Sequence, residues 1–98
     1  ERVNEKQRRQ QGAQLRAQLK PLRDALKKAE GALERVEQRR ADLDARLADP
    51  ALYEPARKED LKRLLAEKAR IEQEREVAEA EWLTHAEALE QAEREAAA

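Results

Sequence analysis

Apolar residues from Leu15 onward recur in alternating steps of four and three: Leu15, Leu19, Leu22, Leu26, Ala29, Leu33, Val36, Leu43 and Leu47, with Arg40 holding one place in the series. This alternation is a heptad stripe, the seam along which one α-helix packs on another. The stripe ends at Ala48. Asp49-Pro50-Ala51-Leu52-Tyr53-Glu54-Pro55 follows, in which two prolines interrupt the helix and an aspartate can cap a short turn. A second stripe of the same period then takes Leu61, Leu64, Lys68, Ile71, Arg75, Ala78, Trp82, His85, Leu89, Ala92 and Ala96. Two seams joined by a short turn fold back on each other. The predicted architecture is all-α, an antiparallel two-helix coiled-coil hairpin, with a first arm over residues 13 to 48, a turn over 49 to 56 and a second arm over 57 to 96.

Residues 1 to 12 carry no seam, being polar throughout apart from Val3. They are expected to be a frayed or linking lead-in from an upstream domain. Pro21 lies inside the first seam, where a proline removes a backbone hydrogen bond and clashes with the preceding turn. Because the heptad phase survives from Leu15 to Leu22, a kink or a short break with both sides still on the partner helix is expected. Two registers keep the seams in phase. The first sets Leu43 by Leu61, Leu33 by Ile71, Leu22 by Trp82 and Leu15 by Leu89; the second sets Ala29 by Trp82 and Leu22 by Leu89. The first is preferred, because it centres the reversal on the breaker segment near Leu52.

Composition narrows the function more than the fold. The chain has 98 residues, 44% of them charged, with no Cys, Met or Phe and only two aromatic side chains, Tyr53 and Trp82. So few large apolar groups cannot fill the core of a sheet sandwich or an α/β fold. Absence of cysteine fits a reducing compartment. No apolar run is long enough to span a membrane, and no signal peptide is visible. With no initiating Met, the sequence is expected to be a piece of a longer chain. Its net charge of −1 conceals opposite ends: residues 1 to 28 sum to +6 and residues 71 to 98 to −7. In a hairpin the basic arm lies beside the acidic one, which favours the antiparallel orientation.

Candidate chemistry is sparse. There is no Ser, one Thr, Thr84, and one His, His85, so no nucleophile–base pair can be assembled and no catalytic residue is expected. Glu81 and His85 have the i, i+4 spacing of metal ligands, but a single His is better explained as a seam packing residue, and no metal site is assigned. Gly12 and Gly31 stand alone, without a glycine-rich phosphate loop. Arg40, Lys68 and Arg75 sit on the seam. Their aliphatic stems can lie across it while the charged heads reach water or a flanking Glu. The clearest functional signal is the first arm, with Lys6, Arg8, Arg9, Arg16, Lys20, Arg23, Lys27 and Lys28, joined near the turn by Arg57, Lys58, Lys62 and Arg63. Basic groups at helical spacing attract phosphate backbones and release counterions on binding. The competing explanation is charge complementarity with the acidic arm.

The order of these features has a family likeness. Leu-Arg-Ala-Gln-Leu-Lys-Pro-Leu-Arg at 15 to 23, Arg-Leu-Ala-Asp-Pro-Ala-Leu-Tyr at 46 to 53, Arg57-Lys58-Glu59-Asp60-Leu61 and Trp82-Leu83 resemble the C-terminal coiled-coil domain of ABC-F ATPases. The YheS-like branch is the nearest in pattern, with the Uup proteins as cousins. The resemblance covers residues 6 to 92. It implies two ATP-binding cassettes upstream, where ATP and Mg²⁺ would act, and no cofactor in this piece. It also implies a cytoplasmic, non-catalytic appendage that touches DNA or ribosomal RNA and anchors the cassettes to their target, the ribosome among the possible partners. A monomeric hairpin without membrane contact is expected. The alternatives from other classes are a structural or protein-interaction coiled coil and a regulatory arm packed on its own ATPase.

Overall fold

A computed structural model describes residues 2–98, with side chains from Asn4 onward. Two long helices account for nearly all of it: α1, Arg2–Leu47, and α2, Lys58–Ala97. The link consists of two short 3₁₀ turns, Pro50–Tyr53 and Pro55–Arg57. The helices lie against each other as an antiparallel hairpin, the predicted architecture. Its dimensions are 80 × 17 × 14 Å, and its radius of gyration of 22.5 Å far exceeds the roughly 13 Å of a compact domain of this length. The molecule is a rod with a core one side chain wide.

The buried positions are Leu19, Ala29, Val36 and Leu43 on α1, Leu52 in the link, and Ile71 and Ala78 on α2. Every one of these helix positions belongs to the two heptad rows. Val36, Leu43, Ile71 and Ala78 form the central cluster, with Leu33, Leu47 and Leu64 packed at its edge. Burial thins along the rod away from the turn, where Leu15, Leu22, Leu26, Trp82, His85 and Leu89 are half-buried, and Ala96 is exposed.

The link is built by its own chemistry. Asp49 accepts the Ala51 N–H at 3.0 Å through Oδ1, Pro50 starts the first 3₁₀ turn with its fixed φ, and Leu52 is driven into the core at 1% exposure. Tyr53 leaves its ring exposed and donates its hydroxyl to the Leu47 carbonyl at 2.7 Å, satisfying one of the carbonyls left free at the end of α1. Leu52 therefore closes the core, and Tyr53 closes the helix end.

Three expectations are modified. α1 is helical from Arg2, so the seamless stretch before Ala13 is a continuation of the helix and not a frayed end. α1 also runs through Pro21 without a break. The third correction is the register. Arg40 meets Glu72, Asp44 meets Lys68 and Glu37 meets Arg75 across the hairpin, while Trp82 stands beside Glu30, Leu33 and Glu34. This is close to the second register, with Ala29 by Trp82, and about one heptad away from the preferred one.

The reason is twofold. The 3₁₀ turn carrying Leu52 prolongs the first limb beyond Leu47, so the chain reverses nearer Pro55 than Leu52. The rejected register would also have set Asp44 level with Asp60 and Glu37 level with Glu67, placing like charges together, and brought Lys68 to Val36. The observed one gives each seam cation a carboxylate.

Candidate nucleic-acid interface

Helical geometry gathers the first-arm cations. Lys6, Arg9, Arg16, Lys20, Arg23 and Lys27 follow one another at steps of three, four or seven and so share one side of α1, next to the seam. Along the axis they cover about 32 Å. Arg8 and Lys28 lie off this row. All eight side chains are exposed. Lys20 is held by Asp24, four residues on, at 2.7 Å. Among the described residues the other seven form no ion pair.

The cations of the central seam are used differently. Arg40 Nε donates to Glu72 at 2.6 Å, Lys68 Nζ to Asp44 at 2.8 Å and Arg75 Nε to Glu37 at 2.5 Å, and Arg39 reaches Glu74 on the other flank at 2.5 Å. The hydrogen bond that Arg40 donates to Glu72 pushes its guanidinium further into its protonated range, and the one that Arg75 donates to Glu37 does the same for Arg75. Lys68 holds the Asp44 carboxyl below the usual carboxylate range, mainly through its hydrogen bond. These groups are consumed by the hairpin itself.

Register explains the contrast. Going away from the turn, the α1 row that carries Asp44 and Glu37 continues through Glu30 to Arg23 and Arg16. The α2 row facing it continues from Lys68 and Arg75 through Trp82 to Leu89 and Ala96. Carboxylates thus face cations in the middle of the rod, whereas Arg23 and Arg16 come level with apolar residues. The complementarity of the two arms is one of overall sign; among the described residues, contact ion pairs between the helices form only between residues 37–44 of α1 and 68–75 of α2.

At the turn, Arg57, Lys58, Lys62 and Arg63 are all exposed. Asp60 accepts from Arg57 Nε at 3.0 Å and from Arg63 through its other oxygen, and Lys62 stands 4.0 Å from Glu59. The hydrogen bond from Arg57, ahead of that from Arg63, keeps the Asp60 carboxyl low. Only Lys58 of the four has no carboxylate partner among the described residues. The sequence reading passed over Arg70, which joins Arg46, Arg57 and Arg63 around a cavity here. The i, i+3 spacing of Arg57, Asp60 and Arg63 signals their pairing, but nothing local marks Arg70. The first-arm and turn cations form two separate groups, not one surface.

The sequence model of the ABC transporter C-terminal domain family matches residues 20–87. The chain belongs to that family. The match takes in the seams from Leu22 to His85, with Pro21 and the whole link, so it covers most of the hairpin of this ABC transporter C-terminal domain. It starts within the basic row: Lys20, Arg23, Lys27 and Lys28 fall inside it, while Lys6, Arg8, Arg9 and Arg16 precede it. No curated protein and no solved structure matches the chain. Among the described residues, no helix of the domain is long and apolar enough to cross a membrane. None of them forms a group of three or more His, Cys, Asp or Glu able to hold a metal ion.

Proposed function

We propose that this C-terminal domain is the non-catalytic nucleic-acid-binding arm of an ABC-F type ATPase, laying the basic side of α1 along DNA or ribosomal RNA in the cytoplasm. The observation that carries the reading is the division of labour among its cations. Those in the middle of the rod are neutralised across the hairpin, while Arg9, Arg16, Arg23 and Lys27 stand exposed on one side without a carboxylate partner among the described residues. Such a row suits contact with phosphates, which positions a protein on a duplex without reading its sequence. Neither aromatic side chain adds an open stacking platform to this row: the exposed Tyr53 ring lies at the turn, and Trp82 is half-buried. A double-stranded target is favoured. ATP and Mg²⁺ would bind in the upstream cassettes, which the arm would anchor to their target.

Fluorescence anisotropy with a labelled duplex at two salt concentrations tests this. The expected result is submicromolar to micromolar binding at low salt that weakens steeply as salt rises. Absence of binding at low salt, or insensitivity to salt, rejects the electrostatic interface.

A second reading rests on Leu65, Val77 and Leu83, large apolar side chains left exposed on α2. They would suit a protein-interaction coiled coil. Sedimentation separates the two: a monomeric rod fits the nucleic-acid arm, and concentration-dependent self-association favours the rival.

A further inference from the structure

Where the chain reverses, a cavity of about 500 Å³ opens between the end of α1, the first 3₁₀ turn and the start of α2. Four arginines line it, Arg46, Arg57, Arg63 and Arg70, beside the apolar side chains of Leu52 and Leu64. Two of its three carboxylates are already committed. Asp49 caps the first 3₁₀ turn by accepting the Ala51 N–H, and Asp60 accepts from both Arg57 and Arg63. Glu67 remains, against Arg46 and Arg70, neither of which forms an ion pair or a side-chain hydrogen bond among the described residues. The lining thus carries four guanidinium groups against three carboxylates, in a recess that is partly open and whose arginines are exposed enough to reorient onto a ligand.

We propose that this cavity receives one phosphate group, bound by Arg46 and Arg70 and flanked by Arg57 and Arg63, whose orientation Asp60 sets. Guanidinium forks match the tetrahedral oxygens of phosphate and hold them by paired charge-assisted hydrogen bonds. Asp60 stays ionised beside Arg57 and Arg63, so it anchors those two side chains and leaves their remaining N–H groups for the ligand. The phosphate has two possible sources of the same chemistry, a phosphodiester of a nucleic-acid backbone or a free phosphorylated small molecule. The site does not rest on the α1 row, whose nearest member, Lys27, lies about 28 Å along the helix from Arg46.

The Arg Nε–Hε signals of the 98-residue chain, followed by NMR during titration with inorganic phosphate at constant ionic strength, provide the test. Saturable shifts at Arg46 and Arg70 are expected. The double variant Arg46→Ala/Arg70→Ala, which alters exposed side chains and whose helicity is checked by circular dichroism, should weaken phosphate binding about tenfold or more. A duplex without terminal phosphates is then added. Displacement of the inorganic phosphate identifies a backbone phosphodiester as the source, and persistence identifies a free phosphorylated molecule; both support the site. Shifts that stay linear with concentration, or that saturate equally in the double variant, overturn it. Duplex binding by α1 is scored separately in the same samples, so either interface can fail while the other stands.

Discussion

Arg75 Nε lies 2.5 Å from Glu37 Oε1, joining a seam position of α2 to the flank of α1 near the middle of the rod. Arg75 also stands 3.6 Å from Glu79 on its own helix. The pair belongs to a set with Arg40–Glu72 and Lys68–Asp44 whose side chains are between 33% and 43% exposed. Polar residues on a coiled-coil seam reduce apolar burial and select one alignment over its neighbours. These three cations act as register marks.

Reversing one charge should expose that role. Glu37→Arg places two cations together and lowers the melting temperature by several degrees, and Glu37→Arg/Arg75→Glu recovers most of the loss. Thermal melts followed by circular dichroism at low salt measure both. A double variant no more stable than the single one would remove Arg75–Glu37 from the set of register contacts.

The tightest apolar burial lies under the link and in the cluster of Val36, Leu43, Ile71 and Ala78. Ile71 and Leu52 are each 1% exposed, so truncating either to Ala should cost about 2–5 kcal/mol. Val77→Ala, at 58% exposure on α2, serves as the control and should change stability by less than about 0.5 kcal/mol. Urea unfolding measures all three. Equal losses at Ile71 and Val77 would contradict the placement of the core.

Acid should loosen the hairpin. Asp44 is held low chiefly by its hydrogen bond from Lys68, and Asp60 by that from Arg57. A lowered folded-state pKa means that the unfolded chain takes up protons first as pH falls. Their contribution is complete above the ordinary carboxylate range near pH 4 and is lost as pH drops through the lowered values. The melting temperature should therefore decline below about pH 4, and Asp44→Asn should reduce that decline while lowering stability at pH 7.

Pro21 sits within α1 with its side chain exposed. Pro21→Ala restores a backbone donor and relieves the clash with the preceding turn, so the variant should be more stable by up to about 3 kcal/mol. Hydrogen exchange of the amides on either side of position 21 should slow. An unchanged or less stable variant would mean that the proline conformation is matched to the native helix.

For the proposed interface, Arg16→Gln/Arg23→Gln/Lys27→Gln should flatten the dependence of duplex affinity on salt. Each lost phosphate contact removes about 0.9 from the log–log slope, so a loss of two to three units is expected, roughly. Helicity should remain intact, because none of the three side chains makes an ion pair within the hairpin among the described residues. An unaltered slope would place the phosphates elsewhere.

Hairpin, seams and breaker were legible in the sequence because each is a local signal: period for the helices, proline and aspartate for the link. The buried helix residues all fall on the predicted rows, including Ala29 and Ala78, whose small side chains would not suggest a core without their spacing. The stem-across-the-seam behaviour of Arg40, Lys68 and Arg75 was legible as well, since a cation at such a position has few other ways to stay solvated. The register was not. A heptad pattern looks nearly the same after a slip of seven residues, so apolar matching alone leaves neighbouring alignments close in energy.

By itself the sequence determined that this chain is a rod of two antiparallel helices with basic and acidic ends. Tertiary structure decided how far one helix slides along the other, and with it which cations are neutralised and which remain exposed. The path of the Leu52 turn and the separation of like charges decided between alignments seven residues apart. The charge separation depends on residues distant in the chain, as does the grouping of Arg46 with Arg57, Arg63 and Arg70 around one cavity, and no local pattern encodes either.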